Sequence, residues 1–107
     1  AIWQRAAELS PELFAVADDF ESRRRFRWAE QLRAAVLSMT NNIAEGSGSF
    51  SNAEFAQFLN FARRSAFETA NILTRLKRES PIPGDDRYLA ELDEISRMIT
   101  GFRKTLL

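Results

Sequence analysis

The chain has 107 residues, with 15 basic and 15 acidic side chains and therefore no net charge. This length is typical of one domain with a small core. The charge balance does not favour a dedicated nucleic-acid binder, because such proteins are usually basic. The absence of cysteine and histidine excludes disulfides, thiolate nucleophiles, imidazole bases and the usual zinc sites.

Targeting and membrane signals are also missing from the sequence. The chain has no run of about eighteen uncharged apolar residues, the length that indicates a membrane span. Its start, "AIWQRAAELS", lacks a signal-peptide pattern. We therefore expect a cytoplasmic protein without membrane contact. A leader trimmed before Ala1 would not be visible in this sequence.

The first predicted helix covers residues 1–20. Its apolar residues recur at the three- and four-residue steps of one helical face, and they are Trp3, Ala6, Leu9, Leu13, Val16 and Phe20. Pro11 lies inside this stripe. The helix is therefore predicted either to kink there or to restart with Ser10 as its cap and Pro11 as its first residue.

Three further helices are predicted over residues 24–46, 51–79 and 85–107 from the same helical spacing. The second stripe consists of Trp28, Leu32, Ala35, Val36, Met39 and Ile43. The third consists of Phe55, Phe58, Leu59, Ala62, Ala66, Thr69, Leu73 and Leu76. The fourth alternates steps of four and three, as a coiled-coil seam does, through Tyr88, Leu92, Ile95, Ile99, Phe102 and Leu106.

The connections between these helices are short, and no segment alternates for long with the period of two that a strand would show. The prolines of "SPIPGDD" end the third helix. Short connections favour antiparallel neighbours. The sequence therefore predicts an all-α, up-down-up-down four-helix bundle that occupies residues 1–107 as a single domain.

Residues 41–50, "NNIAEGSGSF", separate the second and third helices. Gly46 or Gly48 is expected to end the second helix in the left-handed conformation, and Ser51 and Glu54 have the spacing of a capping box. A glycine-rich phosphate loop would need a preceding strand and usually a lysine, and this stretch has neither. We therefore interpret it as a turn between two helices.

Glu45 is unfavourably placed for the helix dipole, because an acid in the last turn faces the negative end. We predict that its carboxylate accepts hydrogen bonds from free N–H groups at the start of the third helix, and that Asn41 and Asn42 point partly toward the core and need partners. The structural interpretation is a polar cluster that holds the hairpin, formed by Asn41, Asn42, Glu45, Gly46, Ser51 and Glu54. The alternative is a ligand site, but no base, nucleophile or metal partner accompanies the carboxylate.

Residues 32–73 contain a longer sequence motif, "LRAAVLSMTNNIAEGSGSFSNAEFAQFLNFARRSAFETANIL". It resembles the signature of the bacterial four-helix bundle proteins of the 23S rRNA intervening-sequence family, and "IWQRAAEL" resembles the start of that family. The matching residues are Arg33, Ala35, Ser38, Asn42, Ile43, Ala44, Glu45, Gly46, Ser51, Glu54, Phe55, Phe58, Leu59, Ala62 and Ser65. Thr40 and Arg64 depart from the pattern, which usually has proline and a small residue at these positions.

The resemblance implies a four-helix protomer that assembles into a ring-shaped homopentamer. Relatives are encoded inside ribosomal RNA genes. The accessory protein of diversity-generating retroelements is similar in fold, binds RNA and contacts a reverse transcriptase. No member is an established enzyme, so the resemblance implies no catalytic residue, cofactor, metal or small-molecule substrate.

Large apolar residues off the core stripes support assembly independently of the resemblance. Phe26, Leu37 and Ala44 fall on one line of the second helix, whereas Phe67 lies off the core stripe of the third helix and Phe61 lies at its edge. A monomer rarely exposes so many large apolar side chains. These residues are the predicted subunit interface, and the alternative is that some of them shield the small core.

The basic residues are concentrated near two predicted helix ends. They are Arg23, Arg24, Arg25 and Arg27 at the start of the second helix, and Lys77 and Arg78 at the end of the third. Antiparallel packing places both groups at the same end of the bundle, where a ring would repeat them around one rim. If the protein binds nucleic acid, we predict that this rim contacts the phosphates. The alternative is that these cations are only solvated or paired with neighbouring acids.

Three functions remain open from the sequence. The first is a non-enzymatic homopentameric scaffold that binds structured RNA or a nucleic-acid-processing partner such as a reverse transcriptase. The second is a protein-interaction module without a nucleic-acid role, in which Asp18, Asp19 and Glu21 pair with the arginines. The third, an enzyme, is disfavoured because no set of nucleophile, base and orienting group can be named.

Overall fold

The computed structural model describes all residues, 1–107, as four helices joined by short turns. The helices are α1 (Ile2–Ser22), α2 (Phe26–Ser47), α3 (Asn52–Glu79) and α4 (Asp85–Leu106). Helices that are adjacent in sequence pack against each other, and α1 closes the bundle against α4 through the smallest contact. The predicted all-α four-helix bundle is confirmed.

A single apolar core runs along the bundle, which measures 44 × 22 × 19 Å. Leu13, Leu32, Leu73 and Ile95, one from each helix, have no exposed surface. Each belongs to the stripe predicted for its helix. Spacing of three and four residues therefore located most of the core, because only one face of each helix meets the other three. Trp3 and Phe102 are exceptions, since both belong to the predicted stripes and are exposed.

Helix α1 continues through Pro11 without a break, so the predicted restart at Ser10 is wrong. Ser10 instead lies inside the helix, and its hydroxyl donates to the carbonyl of Ala6 at 2.7 Å. Leu9 and Leu13, on either side of the proline, are both buried. Tertiary packing thus holds the helix together across a residue that removes one of its hydrogen bonds.

Arg24 separates α1 from α2. Its φ of +67° places it in the left-handed region, which is strained for a residue that carries a Cβ. For this reason α2 begins at Phe26 and not at residue 24 as predicted. The N–H of Arg25 donates to the carbonyl of Phe20 at 2.9 Å and closes the turn.

The turn between α2 and α3 does not use its glycines as predicted. Neither Gly46 nor Gly48 has a positive φ: Gly46 is buried inside α2, and Gly48 caps the helix at a φ of −90°. Gly46 serves close packing instead, because a Cβ added there would lie 2.8 Å from Cδ1 of Phe55 and 3.1 Å from Cβ of Phe58. A glycine at this position allows α2 and α3 to approach closely.

Candidate functional sites on the surface of the bundle

The basic end of the bundle is the end where α1 turns into α2 and α3 turns into α4. The structure brings the predicted cations together there, on two neighbouring turns. Half of them have an acidic partner: Arg23 pairs with Asp19 at 3.2 Å, Arg25 with Glu79 at 3.2 Å, and Lys77 with Asp85 at 3.4 Å. Exposed pairs of this kind are weak, so a phosphate group can compete for these cations.

Two of the acids expected to pair with the arginines of residues 23–27 pair with a different arginine. Asp18 and Glu21 both pair with Arg33 of α2, at 2.6 and 3.0 Å. The hydrogen bond to Asp18, followed by the one to Glu21, raises the pKa of Arg33 above its ordinary value. These two pairs connect α1 to α2, and they leave the basic run with fewer counter-charges than the sequence suggested.

Three of the cations predicted for the basic end remain unpaired. Arg24, Arg27 and Arg78 form no ion pair and no side-chain hydrogen bond, and all three are exposed. Free, exposed guanidinium groups are the groups that contact nucleic-acid phosphates. The basic end can therefore bind phosphate without first breaking an ion pair.

The predicted hairpin cluster is assembled only in part. Ser51 caps α3, and its hydroxyl accepts the N–H of Glu54 at 3.1 Å, which is one half of the predicted capping box. Asn42 donates to the carbonyl of Ser38 at 2.7 Å and to its hydroxyl at 3.1 Å. Ser38 in turn shares a hydrogen bond of 2.8 Å with Ser65 of α3. The polar link between α2 and α3 thus runs through Ser38 and Ser65. The sequence marked both serines as family-matching residues but did not predict them in the hairpin cluster.

The prediction for Glu45 is wrong. Its side chain is exposed and accepts no hydrogen bond, and the side chain of Asn41 is exposed as well. Glu45 contributes to the turn only through its main-chain carbonyl, which accepts the N–H of Gly48 at 3.1 Å. The physical reason is that the next residue, Gly46, occupies the contact with α3, which leaves the carboxylate in solvent.

The apolar residues predicted to form an interface are exposed, as expected for that role. Phe26, Leu37 and Phe67 expose 56%, 48% and 54% of their surface, Phe61 exposes 37%, and Ala44 is exposed as well. All five side chains lie outside the core cluster. A line of apolar side chains on α2 and the Phe67 face of α3 are therefore open to a neighbour, whereas Phe61 lies on the side of α3 that faces α2.

An open apolar groove lies at the opposite end of the bundle, which we call the groove end. This end groove has a volume of about 530 Å³, and of the nine residues that line it eight are hydrophobic and none has a charged side chain. It forms where α1 and α3 begin and where α2 and α4 end. Its main walls are Ile2, Trp3, Phe55, Leu59, Met98 and Phe102. Sequence reasoning assigned most of these residues to the core stripes and did not find the groove.

Two other properties bear on the kind of site this chain can carry. No three or more acidic side chains are grouped closely enough to hold a metal ion. None of the four helices combines the length and the apolar character needed to cross a bilayer.

Comparison with known proteins agrees with the resemblance drawn from residues 32–73. The profile of the family described as "23S rRNA-intervening sequence protein" matches residues 1–101. A protein of unknown function from the S23 ribosomal protein family of Bacteroides thetaiotaomicron VPI-5482 has a similar crystal structure, with a TM-score of 0.90. That protein is 21% identical, and the alignment covers 97% of this chain and 99% of the other. No curated protein matches the chain.

Proposed function

Since the chain belongs to the 23S rRNA-intervening sequence protein family, we propose that it is a non-enzymatic, homo-oligomeric binding protein. Its copies assemble side by side into a ring, a homopentamer, and the ring presents its basic ends to structured RNA or to a nucleic-acid-processing protein. A reverse transcriptase is the example of such a partner that the family resemblance offers. The number of copies also rests on that resemblance.

The position of the exposed apolar side chains is the observation that carries the assembly. Phe26, Leu37 and Ala44 follow one line of α2, whereas Phe67 lies on α3. A contact between two different faces is heterologous, and heterologous contacts close into rings when the rotation between neighbours allows it. An isologous dimer would need only one of these faces.

The free arginines of the basic end support RNA as the partner. Side-by-side assembly would repeat Arg24, Arg27 and Arg78 in every copy around one rim. Each phosphate that such a rim neutralises releases counterions, so the affinity for RNA rises with the number of contacts and falls steeply with salt. Contacts of this kind read the backbone and carry no base specificity.

Filter binding of a labelled structured RNA tests this function. The parent protein is compared with a variant in which Arg24, Arg27 and Arg78 are replaced by serine. We expect the parent to retain RNA at about 50 mM salt and to lose it steeply by about 200 mM. The variant should bind more weakly and with a flatter dependence on salt. A control with Arg64, Arg97 and Lys104 replaced by serine removes the same charge elsewhere and should resemble the parent.

The protein-interaction module is the competing function, and two observations favour it. The net charge is zero, and Arg23, Arg25 and Lys77 are engaged with carboxylates. If the parent retains no RNA at low salt, or if both triple variants lose binding equally, the basic end is not an RNA surface. Assembly through the apolar faces would then serve a protein partner.

A further inference from the structure

The turn between α2 and α3 exposes a large aromatic side chain that has no role in its own chain. Phe50 is fully exposed, at 103% of its reference surface, although turns of this length are usually polar. The same turn lies at the groove end, next to the last turn of α2 and the start of α3. A fully exposed phenylalanine and an open apolar groove are thus found at one end of one molecule.

We propose that the groove end binds the groove end of a second copy, and that Phe50 of each chain inserts into the end groove of the other. A two-fold contact is self-complementary, because each partner supplies the same projecting group and the same cavity. Here Phe50 and the end groove are present at one end of the same chain. Each of two identical copies can therefore fill the groove of the other without a third component.

The chemistry of the groove selects an occupant of this kind. No charged side chain lines it, and Ser47 is its one polar residue. A charged group would therefore lose its hydration without gaining a counter-charge from a side chain. A phenyl ring has no such cost, and it contributes a large apolar area together with edge-to-face contacts to other rings. Trp3 and Phe102, which line the groove, are 49% and 40% exposed and offer such contacts.

Charges around the groove end do not oppose the contact. Lys104 in the last turn of α4 has no ion-pair partner, and neither have Glu45 and Glu54 near the α2–α3 turn. Both signs of charge are thus free at the same end. Two copies that face each other can place opposite charges together at the rim, where such pairs fix orientation more than they add affinity.

The size of the contact predicts a weak association. The bundle is only 22 × 19 Å across, which places an end-to-end contact below the roughly 1,200 Å² of a standard interface. We therefore expect a concentration-dependent dimer of bundles. The contact does not depend on the proposed ring, because it uses none of the apolar faces on α2 and α3. Where a ring does form, its repeated ends would strengthen the contact through effective concentration.

Trp3 provides a reporter for this contact. The chain has two tryptophans, and the other, Trp28, lies near the basic end beneath the guanidinium of Arg75. In a Trp28→Phe, Leu37→Glu double variant, Trp3 emits alone and the side-by-side contact is removed. Over a concentration range of about 1 µM to about 1 mM, which spans weak complexes, we expect the Trp3 emission to shift to the blue. The sedimentation mass should rise over the same range from 12.2 kDa toward twice that value.

Variants of Phe50 and of the end groove complete the test. In the same background, Phe50→Ser should abolish the shift and the rise in mass, whereas Phe50→Leu should retain most of both. Ser47→Arg places a cation in the groove and should also abolish them. It should leave the fold intact, because a cation in the last turn of α2 is favourable for the helix dipole.

Three results would overturn the proposal. The emission and the mass of the double variant could both stay independent of concentration. The shift could survive Phe50→Ser, which would show that another group fills the groove. A blue emission at every concentration that only Phe50→Ser removes would show that Phe50 fills the groove of its own chain. None of these results bears on the side-by-side contact, which Leu37→Glu has already removed.

Discussion

The two ends of the bundle are built from the same architectural parts but from different side chains. The basic end carries the free guanidinium groups of Arg24, Arg27 and Arg78 and several exposed ion pairs. The groove end instead exposes Trp3, Phe50 and Phe102 around a groove without charged side chains. A net charge of zero therefore says little about the surface, because unpaired guanidinium groups gather at one end and three exposed aromatic rings at the other.

The largest expected effect on stability is at the groove end, in the packing of Gly46 against α3. Gly46→Ala should reduce the free energy of unfolding by about 1–3 kcal/mol, because the new Cβ would lie 2.8 Å from the Phe55 ring and overpack the contact. Gly101→Ala is the matched control, since nothing lies within 4 Å of its new Cβ. It should gain up to about 1 kcal/mol from helix propensity. Urea unfolding measures both, and equal effects would contradict the close-packing role of Gly46.

A medium effect is expected at the basic end, at the left-handed residue of the α1–α2 turn. Arg24→Gly removes the Cβ strain at a φ of +67°. It should raise the free energy of unfolding by about 0.5–1 kcal/mol, once the cost of the entropy that glycine adds to the unfolded chain is subtracted. Arg24→Ala keeps the Cβ and should show no such gain. The glycine variant should at the same time bind RNA more weakly than the parent. A gain of equal size for alanine would show that strain is not the cause.

A smaller effect on stability is expected from two free carboxylates at the groove end, which lie at opposite ends of two helix dipoles and can be compared directly. Glu45 lies in the last turn of α2 and Glu54 in the first turn of α3, and both are exposed. The helix dipole disfavours the first charge and favours the second, each by about 0.3–1 kcal/mol. Glu45→Gln should therefore stabilise the protein slightly, and Glu54→Gln should destabilise it slightly, in thermal melts at low salt. A clear loss on Glu45→Gln would restore the anchoring role that the structure does not show.

The smallest effect is expected between the two ends, where α1 meets α4. A hydrogen bond from Arg5 at 2.6 Å lowers the pKa of Glu91 below its ordinary value of 4.5. A lowered pKa in the folded state means that this carboxylate stabilises the protein above pH 4.5 and that the contribution is lost as the pH falls through the folded-state pKa. Glu91→Gln should therefore lower the melting temperature more at pH 7 than at pH 3. Glu30→Gln, on an exposed and unpaired acid of α2, should change neither.

The helices could be predicted from sequence because their apolar spacing is regular, and each end was correct to about two residues. Helix α2 begins two residues later than predicted because Arg24 adopts the left-handed conformation, which residue type alone does not predict for arginine. The role of Glu45 was missed because the direction of a surface side chain depends on how closely two helices approach, and Gly46 sets that distance. Phe50 and the end groove were missed for a similar reason, since a single aromatic in a turn has no period and a groove needs four helix ends to form it.

The solution mass of the parent protein shows whether copies assemble side by side and repeat the basic end around a ring. Light scattering at tens of micromolar should give a mass close to that of a homopentamer of the 12.2 kDa chain. Leu37→Glu should reduce this mass while leaving the helical circular-dichroism signal intact, because a charge on the exposed α2 face opposes the contact without touching the core. A parent mass near 12.2 kDa under these conditions, or a Leu37→Glu variant with unchanged mass, would contradict this assembly.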